Sequence, residues 1–105
     1  MTTQCCVVLI TASNAKEADK ISREIIRGKL AACASCIPSV RSRYWWKGKI
    51  EECSETLLIV KTKKSLVKKL VMKVKSVHSY SVPEVIALPI GSGNPDYLRW
   101  IKESI

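Results

Sequence analysis

Cysteines are the first residues in this chain whose spacing suggests chemistry. Cys33-Ala34-Ser35-Cys36 stands at the separation used by zinc sites and by dithiol redox motifs. A structural zinc needs a second pair of ligands, and a redox dithiol needs a helix N-terminus beneath it. The pair instead falls at the start of a strand, where residues three apart point to opposite faces and do not converge on one ion. Adjacent Cys5-Cys6 fails for the same reason. Cys53, beside Glu51 and Glu52, is read with the others as a structural thiol. The total of five cysteines is odd, which suits a reducing compartment better than a disulfide framework. Cytoplasm is the expected location.

The single histidine, His78, follows a lysine-bearing helix and precedes Ser79-Tyr80-Ser81-Val82-Pro83-Glu84. A metal site generally wants several ligands, so His78 alone does not make one. An imidazolium at a helix C-terminus would favour the helix dipole, which is a structural use for it. Aspartate is supplied only by Asp19 and Asp96. No serine sits in a nucleophile elbow and no glycine-rich phosphate loop is present. No catalytic residue is assigned, and the chain is not expected to be an enzyme.

Charge is the other prominent feature. Eighteen Lys and Arg against nine Asp and Glu give a net charge of +9, and no acid occurs between Glu55 and Glu84. Such a field draws phosphates and anionic surfaces. RNA-recognition modules place base-stacking aromatics on their two central strands. This chain has no Phe, and its first apolar strand, CVVLITA, has no aromatic. The lysines therefore read as a solvated helix face, without sequence-specific nucleic-acid binding. A basic scaffold that holds nucleic acid or an acidic partner through the second helix is the alternative reading.

These residues are positioned by a chain that reads as one domain over residues 1–105, with a hydrophobic content of 47%. The stretch from Leu30 to Thr62 is one long β-hairpin. Val40, Ser42, Tyr44 and Trp46 alternate with Arg41, Arg43 and Trp45, Lys47-Gly48 makes the turn, and Thr56 to Val60 is β-rich. Arms of about a dozen residues exceed the ordinary strand of about five or six. Adjacent Trp45 and Trp46 must face opposite sides, so a partner chain is expected to cover one of them.

Around the hairpin, Cys5 to Ala12 reads as a buried strand. A helix follows, capped at Asn14 with Glu17 in a capping-box position, and Gly28 is expected to end it in a left-handed turn. A second helix, capped by Thr62 or Ser65, turns Leu66, Val67, Leu70, Val71, Val74 and Val77 inward. Glu84 to Pro89 is a last strand. Asn94-Pro95-Asp96 starts a closing helix with Tyr97, Leu98, Ile101 and Ile105 on its buried side. The order β-α-β-β-α-β is an α+β ferredoxin-like fold with a terminal helix. No apolar run approaches a membrane span, and the opening residues lack the basic start of a secretory signal.

TASN at Thr11 to Asn14, KLAAC at Lys29 to Cys33, YWWKGKIEE at Tyr44 to Glu52, LIVKT at Leu58 to Thr62, SVHSY at Ser76 to Tyr80, VPEVIALPI at Val82 to Ile90 and NPDYLRW at Asn94 to Trp100 occur in that order. On these segments the chain resembles the divalent-cation tolerance protein CutA family from Val7 to Trp100. The resemblance implies a homotrimer whose hairpins pair across subunits, with a cleft between neighbours. It implies a role in divalent-metal response and copper binding, through a strand cysteine and a His-His-Pro-Tyr segment. Here those positions hold Ile10, Val77, His78 and Ser79. Copper, if bound, is expected to be weak and not an obligatory cofactor, with His78 as anchor and Glu84 as an added oxygen ligand. Tyr44, Trp45, Trp46, Lys61, Tyr97 and Trp100 match the family around the intersubunit cleft. No membrane partner is implied.

Overall fold

The computed structural model describes residues 3–105. Met1 and Thr2, part of the opening segment read above for a signal, lie outside the described residues. The elements are β1 (Cys5–Ala12), α1 (Ala15–Arg27), β2 (Cys33–Trp46), β3 (Lys49–Lys63), α2 (Val67–Val77), β4 (Val85–Pro89) and α3 (Pro95–Ser104). The strands form one antiparallel sheet in the order β2-β3-β1-β4. This is the expected α+β arrangement. No helix among the described residues is long and apolar enough to cross a membrane.

Alternation along the strands sends every second side chain to the face covered by α1 and α2. Val8, Ile10 and Ala12 of β1 and Leu58 and Val60 of β3 meet Ala18, Ile21 and Ile25 of α1 and Leu70 and Val74 of α2, all fully buried. The opposite face carries Val7, Leu9, Leu57 and Ile59 in the middle of the sheet and Ile37, Ile86 and Leu88 towards its edges. Among the described residues no such layer covers it. α3 folds over one end of it, where the Leu98 carbonyl lies 3.9 Å from the Cys5 sulfur and the Lys63 ammonium donates to the Ile105 carbonyl. The rest stays open, with Ile86 50% and Leu88 47% exposed.

The hairpin is longer than expected, with arms of 14 and 15 residues. Within β3, β1 pairs with Thr56 to Lys63 alone, so the half of β3 from Lys49 to Glu55 has β2 alone beside it. Lys47 (φ 51°) and Gly48 (φ 79°) are both left-handed, the geometry of a tight turn that follows the strands' twist. A bulge interrupts β2: Ile37 pairs with Leu57 but Val40 with Glu55, leaving Pro38 and Ser39 opposite one residue. Ser39 takes a φ of 62° there. Odd-numbered residues before the bulge and even-numbered residues after it therefore share a face.

Three local expectations are corrected. Gly28 is not left-handed (φ −77°); the residue after it, Lys29, is, at φ 56°. Lys29 N–H donates to the Ile26 carbonyl and Leu30 N–H to the Ile25 carbonyl, so the helix closes one residue later than the glycine suggested. Neither Thr62 nor Ser65 caps α2. Thr62 is buried in β3, where its hydroxyl donates to the Leu30 carbonyl at 2.7 Å, and a short 3-10 turn over Lys64–Leu66 leads into the helix. Tyr97 is not on the buried side of α3; Ile101 alone is fully buried there, and Tyr97 stacks on Trp100 with ring centroids 5.4 Å apart. The Asn94 cap is present, accepting from Asp96 N–H at 3.0 Å.

Candidate functional site

The overhanging hairpin and the loop between α2 and β4 enclose a cleft of about 680 Å³. Its walls include Tyr44 and Trp46 from β2, Glu55 from β3, and Tyr80 and Glu84 from the loop, with Arg41 and Arg43. The Arg43 guanidinium pairs with the Glu52 carboxylate on the neighbouring strand. At the turn, the Lys47 ammonium sits 5.9 Å from the Trp46 ring centroid, within cation–π range.

The cleft's inner end is organised by hydrogen bonds. Glu55, only 6% exposed, accepts from the Tyr80 hydroxyl at 2.8 Å. Burial and the Glu55 carboxylate push the Tyr80 phenol well above its ordinary range. The Tyr44 hydroxyl lies 3.8 Å from the Cys53 sulfur, and that contact, with the nearby Glu55 and Glu51 charges, raises the Tyr44 phenol as well. Both phenols stay protonated at neutral pH.

Behind the cleft lies His78, its side chain fully buried. Tyr80 N–H donates to Nδ1 at 3.0 Å, so the proton sits on Nε2, which donates to the Thr11 carbonyl at 2.7 Å. The Tyr80 ring packs against the imidazole with centroids 4.7 Å apart. Next to it, Glu17 accepts from Ser13 N–H and Ser13 hydroxyl through one oxygen (2.9 Å each) and from Ser79 N–H through the other (2.7 Å). Burial pushes the Glu17 carboxyl upward, but the hydrogen bonds from Ser13 and Ser79 outweigh it and hold its pKa at about 2. His78 and Glu17 together fasten the cleft loop to the ends of β1 and α1.

Of the residues expected at the site, Tyr44, Trp46 and Glu84 line this cleft. Trp45 pairs with Ile50 at the hairpin tip and is 72% exposed, outside the cleft. Lys61, Tyr97 and Trp100 form a second cluster. Lys61 is opposite Cys33, and burial together with Cys33 raises the Tyr97 phenol. Lys61 is six positions from Glu55 along β3, about 20 Å at 3.3 Å per residue. One chain therefore does not bring the two clusters together. Tyr80, Glu55 and Arg41 were not anticipated. Glu55 carried a signal, an acid placed directly before a run of core positions, whereas Tyr80 sits in a loop whose path the sequence does not specify.

The family-implied copper ligands do not fit. Ile10 is in the core, Val77 packs against it, and Ser79 N–H is committed to Glu17. The expected anchor, His78, presents no free nitrogen, because both are hydrogen-bonded inside the fold. Among the described residues, no three of His, Cys, Asp and Glu gather closely enough to hold a metal ion.

The CutA1 divalent ion tolerance protein family matches the chain over residues 6–104. The chain belongs to that family. Protein CutA of Mus musculus is 51% identical over 94 residues, 90% of this chain and 53% of the mouse protein. The divalent-cation tolerance protein CutA of Thermus thermophilus is 43% identical over 98 residues, 93% of this chain and 95% of that protein. A crystal structure of CutA1 from Oryza sativa superposes with a TM-score of 0.93 at 47% identity, covering 98% of this chain and 94% of that one. This CutA-family chain spans about half the length of the mouse relative. Cys33 and Cys36 lie on opposite faces, as expected, near Tyr97 and near Asp19 of α1 respectively.

Proposed function

We propose that this CutA-family chain acts as a homotrimer in divalent-cation response, with the hairpin cleft as the place where a cation or small ligand is held. The observation that supports the assembly is the open apolar face formed by Leu9, Ile59, Ile86 and Leu88 together with the half of β3 that has β2 alone beside it. Exposed apolar surface of this extent is costly in a lone chain and is removed when copies pack together. Pairing of hairpins across subunits also gives Trp45 a covered position. It would bring one chain's Lys61, Tyr97 and Trp100 towards a neighbour's Tyr44 and Trp46, so that the cleft is completed between subunits. Light scattering at micromolar concentration is expected to report three chains; a folded monomer would overturn the assembly. The five free thiols fit a reducing compartment, in line with a cytoplasmic location.

Copper is bound weakly in this reading, and His78 positions the cleft loop instead of anchoring the metal. Calorimetry with blocked thiols should find His78→Ala little changed in copper affinity but lower in melting temperature. A large loss of copper affinity in that variant would restore His78 as the anchor.

The lysines of α2 give the second reading some support. Asp19 pairs with Arg23 and Glu24 with Lys73, which leaves Lys68, Lys69 and Lys75 without a carboxylate partner among the described residues. RNA binding through this face is expected to be sequence-independent and lost steeply with salt. Binding that prefers one sequence and persists near physiological salt would favour a nucleic-acid role over the cation role.

A further inference from the structure

Three aromatic rings stand around the hairpin cleft. Tyr44, Trp46 and Tyr80 all line it, with the carboxylates of Glu55 and Glu84 beside them. Tyr44 and Trp46 alternate along β2 onto the face that also carries Glu55, because Val40 pairs with Glu55 and Tyr44 with Glu51 across the ribbon. Tyr80 approaches from the loop. Its ring is fixed from two directions, by the His78 imidazole at 4.7 Å between centroids and by the hydroxyl's bond to Glu55 at 2.8 Å. With that hydroxyl occupied, Tyr80 has its ring left to offer a ligand. Tyr44 and Trp46 are both exposed in the single chain, so their rings are open as well.

An aromatic face is negative and attracts a cation. Trp46 already shows this, since the Lys47 ammonium of the same chain stands 5.9 Å from its centroid. Glu84 adds a full negative charge on the cleft wall and has no ion-pair partner among the described residues. The two arginines of the wall do not cancel it. Arg43 is paired with Glu52, and Arg41 and Arg43 alternate onto the face opposite to Tyr44 and Trp46. A bare metal ion does not suit the place, because no three ligating side chains gather among the described residues and the cavity is about 680 Å³. A cation that carries its own apolar shell does suit it, since rings can cover the shell while a carboxylate balances the charge.

We propose that the cleft binds an alkylated ammonium ion, enclosed by the rings of Tyr44, Trp46 and Tyr80 with Glu84 as its counter-charge. This names the chemical class of the small ligand in the cleft reading given above and rests on that reading. The alkyl groups pack on the ring faces, and no covalent bond is made or broken. Glu55 keeps its hydrogen bond to Tyr80 and so positions that ring. Ser81 and Val82 line the remaining volume, where a longer substituent on the nitrogen would lie.

The test is titration of the assembled, thiol-blocked protein with tetramethylammonium chloride, followed by tryptophan fluorescence and calorimetry at ionic strength held constant with sodium chloride. The comparison probe is tert-butanol, which is neutral and of similar size and shape. One tetramethylammonium per chain is expected, bound at least about fivefold more tightly than tert-butanol. Trp46→Leu and Glu84→Gln should each weaken tetramethylammonium binding severalfold, Trp46→Phe should keep most of it, and Glu84→Gln should leave tert-butanol unaffected. If Trp46→Leu fails to fold or assemble, the exposed Glu84→Gln and the comparison of probes carry the result. Equal affinity for the two probes, or tetramethylammonium binding undiminished in Glu84→Gln and in a folded Trp46→Leu, overturns the ammonium site. Binding that appears only in Lys61→Ala would give the rings to a neighbouring chain's lysine and overturns it too. A protein that ignores tetramethylammonium but whose Trp46 fluorescence responds to zinc loses this inference and keeps the broader cleft reading; no response to either probe overturns both.

Discussion

Glu17 shows how a single side chain couples the start of a helix to the cleft. Its carboxylate is 12% exposed and is held at a pKa of about 2 against an ordinary 4.5. The lowered value means that its stabilising effect is complete above pH 4.5 and is lost as pH falls towards 2. At about 1.4 kcal/mol per pH unit, the difference amounts to no more than about 3 kcal/mol. Glu17→Gln offers an NH2 group where Ser79 N–H needs an acceptor, so it should lower stability at pH 7 and flatten the acid limb of a melting-temperature profile between those values. His78→Ala strands the Thr11 carbonyl and the Tyr80 N–H, a loss of about 2 kcal/mol or more by denaturant unfolding. Neither role was legible beforehand. The Asn14 cap was, because Asn followed three positions later by Glu is a local signal. The reach of that Glu to Ser79 depends on two segments far apart in sequence.

At the scale of elements, local chemistry was readable where it did not depend on distant contacts. The hairpin turn, the Asn94-Pro95 helix start and the apolar stripes of α1 and α2 all follow from residue type and period. The misplaced α2 cap has the opposite cause: Thr62 has the right chemistry for a cap but is drawn into β3 by its bond to Leu30. The end of α1 is similar. A lysine occupies the left-handed position there, a conformation that costs a side-chain-bearing residue roughly 1–2 kcal/mol. Lys29→Gly is therefore expected to stabilise the fold by about 1 kcal/mol and to raise its melting temperature by a few degrees. An unchanged or lowered melting temperature would show that the Lys29 side chain contributes contacts that offset the strain.

At the scale of the molecule, the sequence indicated an unsatisfied surface more clearly than it indicated a site. Adjacent tryptophans and an excess of strand length are visible in one dimension; the cleft is not, because its walls come from β2, β3 and the loop beyond α2, where Tyr80 is 25 residues from its partner Glu55. The open sheet face makes its own prediction. Leu88 is half-exposed in a single chain, so Leu88→Glu should leave the protomer's circular dichroism intact while shifting the mass in light scattering downward. Retention of the full assembly would mean that the hairpins alone hold it together.

The irregularity at Pro38-Ser39 has a consequence for how this chain could vary. β3 runs straight past it, so loss of Ser39 would restore one-to-one pairing on both sides without exchanging the faces of any side chain. What such a deletion would remove is the bend, and with it the direction in which the tip carrying Trp45 and Trp46 is pointed. The single added residue lies between the half of β2 beside the core strands and the half that overhangs them. A Ser39 deletion variant should accordingly keep its secondary structure yet associate poorly, which makes this position a place where lineages could gain or lose partners by changing length by one residue while leaving the core untouched.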